Sequence, residues 1–95
     1  MHLKQIECFL DLSETLNFSE TANNLYLTQP AVSHQIKSLE DEIGVPLFKR
    51  NKRTVELTEA GISFYDDIKD IYNRINVSIA KTKNLSTKFK SSLYI

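Results

Sequence analysis

The chain's 95 residues, 41% hydrophobic with only two glycines and two prolines, exclude a disordered tail and a loop-rich scaffold and allow one small domain with a modest core. A lone Cys8 excludes an internal disulfide and fits a reducing cytoplasm; charged residues interrupt the opening, and no run approaches the ~18–20 apolar residues of a membrane span. The net charge of zero hides a division, about −5 up to Phe48 and about +5 from Lys49 onward.

The first helix is expected from about Leu3 to Leu16, because Leu3, Ile6 and Leu10 recur at helical spacing beside Phe9, before Asn17 breaks the run. Ser19 is the expected N-cap of a short second helix reaching Leu25. The third helix has the clearest start in the chain. Thr28 reads as its N-cap, Pro30 sits in the first turn where a missing N–H costs nothing, and Leu27 and Val32 are spaced as a hydrophobic staple. Gly44 and Pro46 end it.

Two extended runs follow, Leu47-Phe48-Lys49 and Thr54-Val55-Glu56-Leu57. They flank Arg50-Asn51-Lys52-Arg53, which predicts a small hairpin with a basic tip. Thr58 then caps a last helix running from Glu59 to Leu85 or beyond, roughly 40 Å at 1.5 Å per residue and too long to bury against so small a domain. Residues 91–95 read as extended.

Val32, Ile36, Leu39 and Ile43 make one apolar stripe on the third helix that should face the core. Gln29, Ser33 and Lys37 make a second, polar line on another face, bordered by Pro30 and His34. Such a line suits a solvated surface. It also suits a helix in a DNA major groove, where amides and hydroxyls read base edges and the helix N-terminus favours phosphate. The basic hairpin tip has the same two readings, a solvated loop or a contact to the DNA backbone and minor groove. Short helix, tight turn, longer helix and basic hairpin in this order favour DNA.

On the last helix, Ile62, Tyr65, Ile68, Tyr72, Ile75 and Ile79 alternate spacings of three and four, a coiled-coil-like seam. Its first part can serve the domain's core. Its later part, with Ile68, Tyr72, Ile75 and Ile79 as the expected dimer contacts, calls for a partner helix. Cys8 reads as a core thiol, His2 and His34 match no zinc spacing, and the carboxylates Asp66, Asp67 and Asp70 read as a solvated helix face. Isolated Gly44 and Gly61 make no phosphate cradle. No metal, cofactor or catalytic residue is expected.

The runs from Phe18 to Leu25 and from Leu27 to Glu40, then Leu47-Phe48-Lys49-Arg50 and Leu57-Thr58-Glu59-Ala60-Gly61, strongly resemble the N-terminal domain of LysR-type transcriptional regulators. The resemblance spans residues 1 to about 88. It implies a winged helix-turn-helix on a long linker helix, with the linker helices of two subunits packed antiparallel. It implies that Gln29, Pro30 and Ser33 approach bases, with His34 beside them, and that Thr28, Lys37, Arg50 and Arg53 mostly hold the DNA backbone. The family usually carries Arg at the position of His34, and it continues into a large effector-binding domain.

The expectation is therefore a mainly α protein: a winged helix-turn-helix over residues 1–58, a dimerisation helix over 59–90, and the start of an effector-binding domain over 91–95. Its expected partners are double-stranded DNA and a second copy of itself, with no membrane, and a small-molecule effector only where a C-terminal domain exists. The function expected is sequence-specific DNA binding by a cytoplasmic homodimer, without enzymatic activity. The rival is an adaptor that dimerises through the long helix and never touches DNA.

Overall fold

A computed structural model describes the backbone of residues 1–93 and the side chains of residues 1–85. The element order is α1 (Leu3–Thr15), α2 (Phe18–Asn24), α3 (Gln29–Ile43), β1 (Phe48–Arg50), β2 (Val55–Leu57) and α4 (Glu59–Leu93). This is the mainly helical winged-helix architecture expected from the sequence.

The helix boundaries follow from their caps. Gln5 accepts from the His2 N–H at 3.0 Å at the start of α1, and Leu16 ends that helix in the left-handed conformation at φ 54°. The α2 cap corrects the sequence reading. Asn17, not Ser19, accepts from the Glu20 N–H at 3.0 Å, which moves the helix start two residues earlier and turns Phe18 onto the core. Thr28 caps α3 as expected, accepting from the Ala31 N–H at 3.2 Å. Gly44 closes α3 at φ 94°, a conformation that side chains disfavour.

Helices α1, α2 and α3 pack around a core of Ile6, Phe9, Leu12, Val32, Ile36 and Leu39. Phe9 is its centre, 5.6 Å from the Phe48 ring and 5.1 Å, edge-on, from Phe64. The stripe on α3 turns inward through Leu39 only. Ile43, expected in the core, is 37% exposed because it sits on the last residue of α3, at the domain's edge. The buried polar side chains among the described residues are satisfied: Gln5 donates to Ser38 at 3.0 Å, and the hydroxyls of Thr15 and Thr21 pair at 2.8 Å.

The hairpin is antiparallel, with Phe48 opposite Leu57 and Arg50 opposite Val55. Strand β1 begins and ends one residue later than the sequence suggested, so Arg50 belongs to the strand and the tip is residues 51–54. Glu40 on α3 anchors the hairpin. One carboxylate oxygen accepts from the N–H groups of Leu47 and Phe48, at 2.6 and 3.1 Å, and the other lies 3.5 Å from Arg50. Thr58 joins the hairpin to α4, donating to the Pro46 carbonyl at 2.8 Å and accepting from the Gly61 N–H at 2.9 Å.

Helix α4 has 35 residues, about 52 Å at 1.5 Å per residue, and stretches the molecule to 62 × 25 × 20 Å. No Gly or Pro follows Gly61 to break it. It therefore runs through residues 91–93, which the sequence reading made extended; Tyr94 and Ile95, the rest of that segment, lie outside the described residues.

Candidate nucleic-acid interface

The polar line of α3 stands at the surface, as its spacing requires. Gln29, Pro30, His34 and Lys37 are exposed, Ser33 is half-buried, and Thr28 holds the helix start with its hydroxyl. Gln29, Pro30 and Ser33 share a shallow recess of about 320 Å³ with Phe18 and Arg50. By sequence Arg50 belongs to the hairpin tip. Instead the strand carries its guanidinium back to α3, 5.1 Å from the Phe18 ring centroid, with Glu40 on its other side. A cation held over an aromatic face and beside a carboxylate is oriented before any ligand arrives.

The recess also shows what the sequence did not. Ser19, expected as a cap, accepts from the Gln29 carboxamide, so α2 fixes the side chain at the start of α3. Phe18 is the platform under Arg50. These residues are 10 to 32 positions apart in the chain, and only the tertiary fold brings them together. A single Ser or Phe in a seven-residue helix carries no periodic signal of such a role.

Lys37 lies two turns along α3 from Gln29 and lines a second recess with Glu40, Pro46 and Arg50. Arg53 is separate from both. It stands at the exposed hairpin tip with Lys52, beside Leu16, Asn17 and Phe18 at the turn into α2. His34 is exposed and makes no side-chain hydrogen bond or ion pair among the described residues. The fold thus gathers Gln29, Pro30, Ser33 and Arg50 into one patch, with Lys37 at its edge and Arg53 on a separate projection.

Of the proposed dimer residues, Ile68 is 7% exposed and belongs to the chain's own core. Tyr72 is half-buried, its hydroxyl donating to Glu7 at 3.1 Å. Ile75 and Ile79 face outward and share a recess with Ile71, which the sequence reading left out of the seam. The three- and four-residue alternation passes over Ile71, although it precedes Ile75 and Ile79 by four and eight residues.

Cys8 is fully buried, and burial pushes the pKa of its thiol up. Among the described residues no group of three or more His, Cys, Asp or Glu could hold a metal ion, and no helix is long and apolar enough to cross a membrane.

Residues 3–62 match the model of the bacterial regulatory helix-turn-helix protein, lysR family. The chain belongs to the LysR family. It is 42% identical over 93 residues to the HTH-type transcriptional regulator BudR of Raoultella terrigena, covering 98% of this chain and 32% of that one. It is also 42% identical over 86 residues to the glycine cleavage system transcriptional activator of Escherichia coli (strain K12), covering 90% and 28%. The chain thus spans about a third of the length of these curated relatives. Among solved structures, it superposes on the BenM DNA-binding domain bound to catB site 1 DNA with a TM-score of 0.86 at 30% identity, covering 90% of this chain and 97% of that one. Family and fold are those of the DNA-binding domains of transcriptional regulators, not of enzymes.

Proposed function

We infer that this chain is the DNA-binding part of a bacterial transcriptional regulator and binds double-stranded DNA sequence-specifically as a homodimer. The observation that carries this reading is the patch of Gln29, Pro30, Ser33 and Arg50 at the exposed start of α3, in a fold matched by a domain solved on DNA. In this role α3 enters the major groove, and the Gln29 carboxamide and Ser33 hydroxyl meet base edges. His34 meets a base edge or a phosphate beside them. Thr28, Lys37, Arg50 and Arg53 hold backbone phosphates, which position the protein without reading sequence.

The second half of α4 pairs two copies through Tyr72, Ile75 and Ile79, joined by Ile71. Each copy then presents its α3 to one half of a dyad-symmetric site, with the hairpins on the flanks. The protein acts in the cytoplasm. Its relatives are about three times as long, and a small-molecule effector is a partner only where a C-terminal domain exists.

Salt dependence separates DNA binding from the adaptor reading. Every phosphate neutralised releases counterions, so log K should fall linearly with log salt, with a slope of about −0.9 per phosphate contact. Arg53→Ala should weaken binding alike on all sequences and flatten that slope by about one unit per bound copy. Fluorescence anisotropy titrations of labelled duplexes over a range of salt concentrations measure both. Binding to mixed DNA too weak to titrate even at low salt would leave the adaptor reading.

A further inference from the structure

The first turn of α2 lies against the first turn of α3, close enough for the Gln29 carboxamide to donate one N–H to the Ser19 hydroxyl oxygen. Helix α2 can hold that hydroxyl in place because it is itself fixed. Asn17 caps it, and Phe18 packs on the core. Thr21 is buried, its hydroxyl 2.8 Å from that of Thr15, and in the turn the Ala22 carbonyl accepts from the Leu27 N–H at 2.9 Å. Ser19 itself is exposed and takes no part in the core. Gln29 is exposed too, so without a partner its carboxamide would turn freely and either end could face outward.

The bond to Ser19 decides what Gln29 has left to offer. A carboxamide carries two N–H donors and one oxygen. With one N–H engaged by Ser19, one N–H and the oxygen remain for a ligand. That pair matches one purine and not the other. In the major groove adenine offers the N7 acceptor beside the N6 donor, whereas guanine offers two acceptors, N7 and O6. Adenine can take both remaining groups. Guanine needs two donors, and against it the Gln29 oxygen would meet an acceptor and stay unpaired. Cytosine and thymine each present a single polar group there, so neither engages both.

We propose that Ser19 is a positioning residue that holds the Gln29 carboxamide with one N–H engaged, so that the start of α3 selects adenine and rejects guanine. This rests on the DNA-reading role inferred above and adds the base that is read and the residue that sets the choice. Ser19 touches no base in this role. It withholds from guanine the second donor that guanine requires. The opposite orientation, with the Ser19 O–H donating to the Gln29 oxygen, would free both N–H groups and favour guanine. The base preferred therefore reports how the carboxamide is held.

The position read by Gln29 is found first, as the one whose base preference Gln29→Ala removes from a duplex selected with the wild-type chain. Anisotropy titrations at fixed salt then compare duplexes in which that base pair is adenine with thymine or guanine with cytosine, in both orientations. The wild type should prefer adenine over guanine by about 5–100-fold. Ser19→Ala frees both N–H groups and should bring the two to within about 3-fold of each other. Ser19→Thr keeps the hydroxyl and should restore the preference. The readout is a ratio, so a loss of affinity common to both duplexes cancels. Alanine suits an exposed helical site, and circular dichroism checks that the fold is intact. In a Gln29→Ala background, Ser19→Ala should leave the ratio unchanged, whereas a general structural effect would persist there. A wild type that prefers guanine, a Ser19→Ala chain with the wild-type ratio, a Ser19→Thr chain that restores nothing, or an equal shift in the Gln29→Ala background would overturn the positioning role and leave DNA reading standing. A wild type with no base preference, or a Gln29→Ala chain that keeps every one, would overturn the reading role itself.

Discussion

Gly61→Ala should destabilise the winged domain, although alanine is the better helix former. A Cβ at Gly61 would lie 2.1 Å from the Leu47 carbonyl oxygen, 3.1 Å from its carbon and 2.9 Å from Leu57 Cδ2. The leucine methyl can turn away; the carbonyl cannot. It accepts from the Thr58 N–H at 3.0 Å, the bond that ties the entry of β1 to the start of α4, and Glu40 holds the N–H of the same residue. Helix propensity favours the substitution by about 1 kcal/mol. Overpacking against fixed backbone costs about 1–3 kcal/mol, and more where no side chain can yield. The expected net is a loss of about 2 kcal/mol or more, a large share of the roughly 5–15 kcal/mol that holds a small domain. Urea unfolding followed by far-UV circular dichroism should show the midpoint falling. A midpoint equal to wild type, or raised, would mean that helix propensity governs this position.

Ile75→Asp should turn the dimer into a folded monomer. Ile75 sits on the outward face of α4, past the part of the helix that packs on the domain, and is not among the residues of the core. In a single chain the new carboxylate meets water, so the fold should survive. In the dimer it would lie on the seam against the partner helix, unpaired and out of water, which removes several kcal/mol of association. DNA affinity should fall with it, by about 10²–10⁴, because a monomer loses the effective concentration that ties its two recognition helices together. Sedimentation and circular dichroism on one sample separate the outcomes. A folded variant that remains a dimer would place the interface elsewhere.

The sequence disclosed most where a local rule had one solution. Thr28, Gly44 and Thr58 each mark a helix end by side-chain chemistry alone, and all three hold those places. The inward stripe Val32, Ile36 and Leu39 followed from periodicity, and so did the polar line opposite. The errors came where tertiary packing decides. Asn17 and Ser19 are both cap residues, and only the burial of Phe18 selects between them. Leu16 and Tyr26 adopt left-handed conformations, at φ 54° and 56°, without the Gly or Asn that would have flagged them. Arg50 looked like part of a loop because its sequence neighbours are polar; its partners, Phe18 and Glu40, are 32 and 10 residues away. Ile68 belonged to the seam by spacing, but the domain's own core takes it first.

If the start of α3 reads base sequence, Gln29→Ala should remove part of that reading. The Gln29 carboxamide is exposed at the first turn of α3, held by Ser19 in the recess with Pro30, Ser33 and Arg50. A carboxamide there can bond a base edge through both its N–H and its oxygen, which discriminates against the wrong base by about 1–3 kcal/mol. A preferred duplex is first selected from random sequence with the wild-type chain. Affinities of wild type and Gln29→Ala are then measured at one fixed salt concentration, on that duplex and on variants substituted at each position of the site. Gln29→Ala should lose about 1–3 kcal/mol on the selected duplex and no longer distinguish the bases at one position of each half-site, while its affinity for scrambled DNA stays at the wild-type level. Equal losses on selected and scrambled DNA, with every position still distinguished, would contradict it.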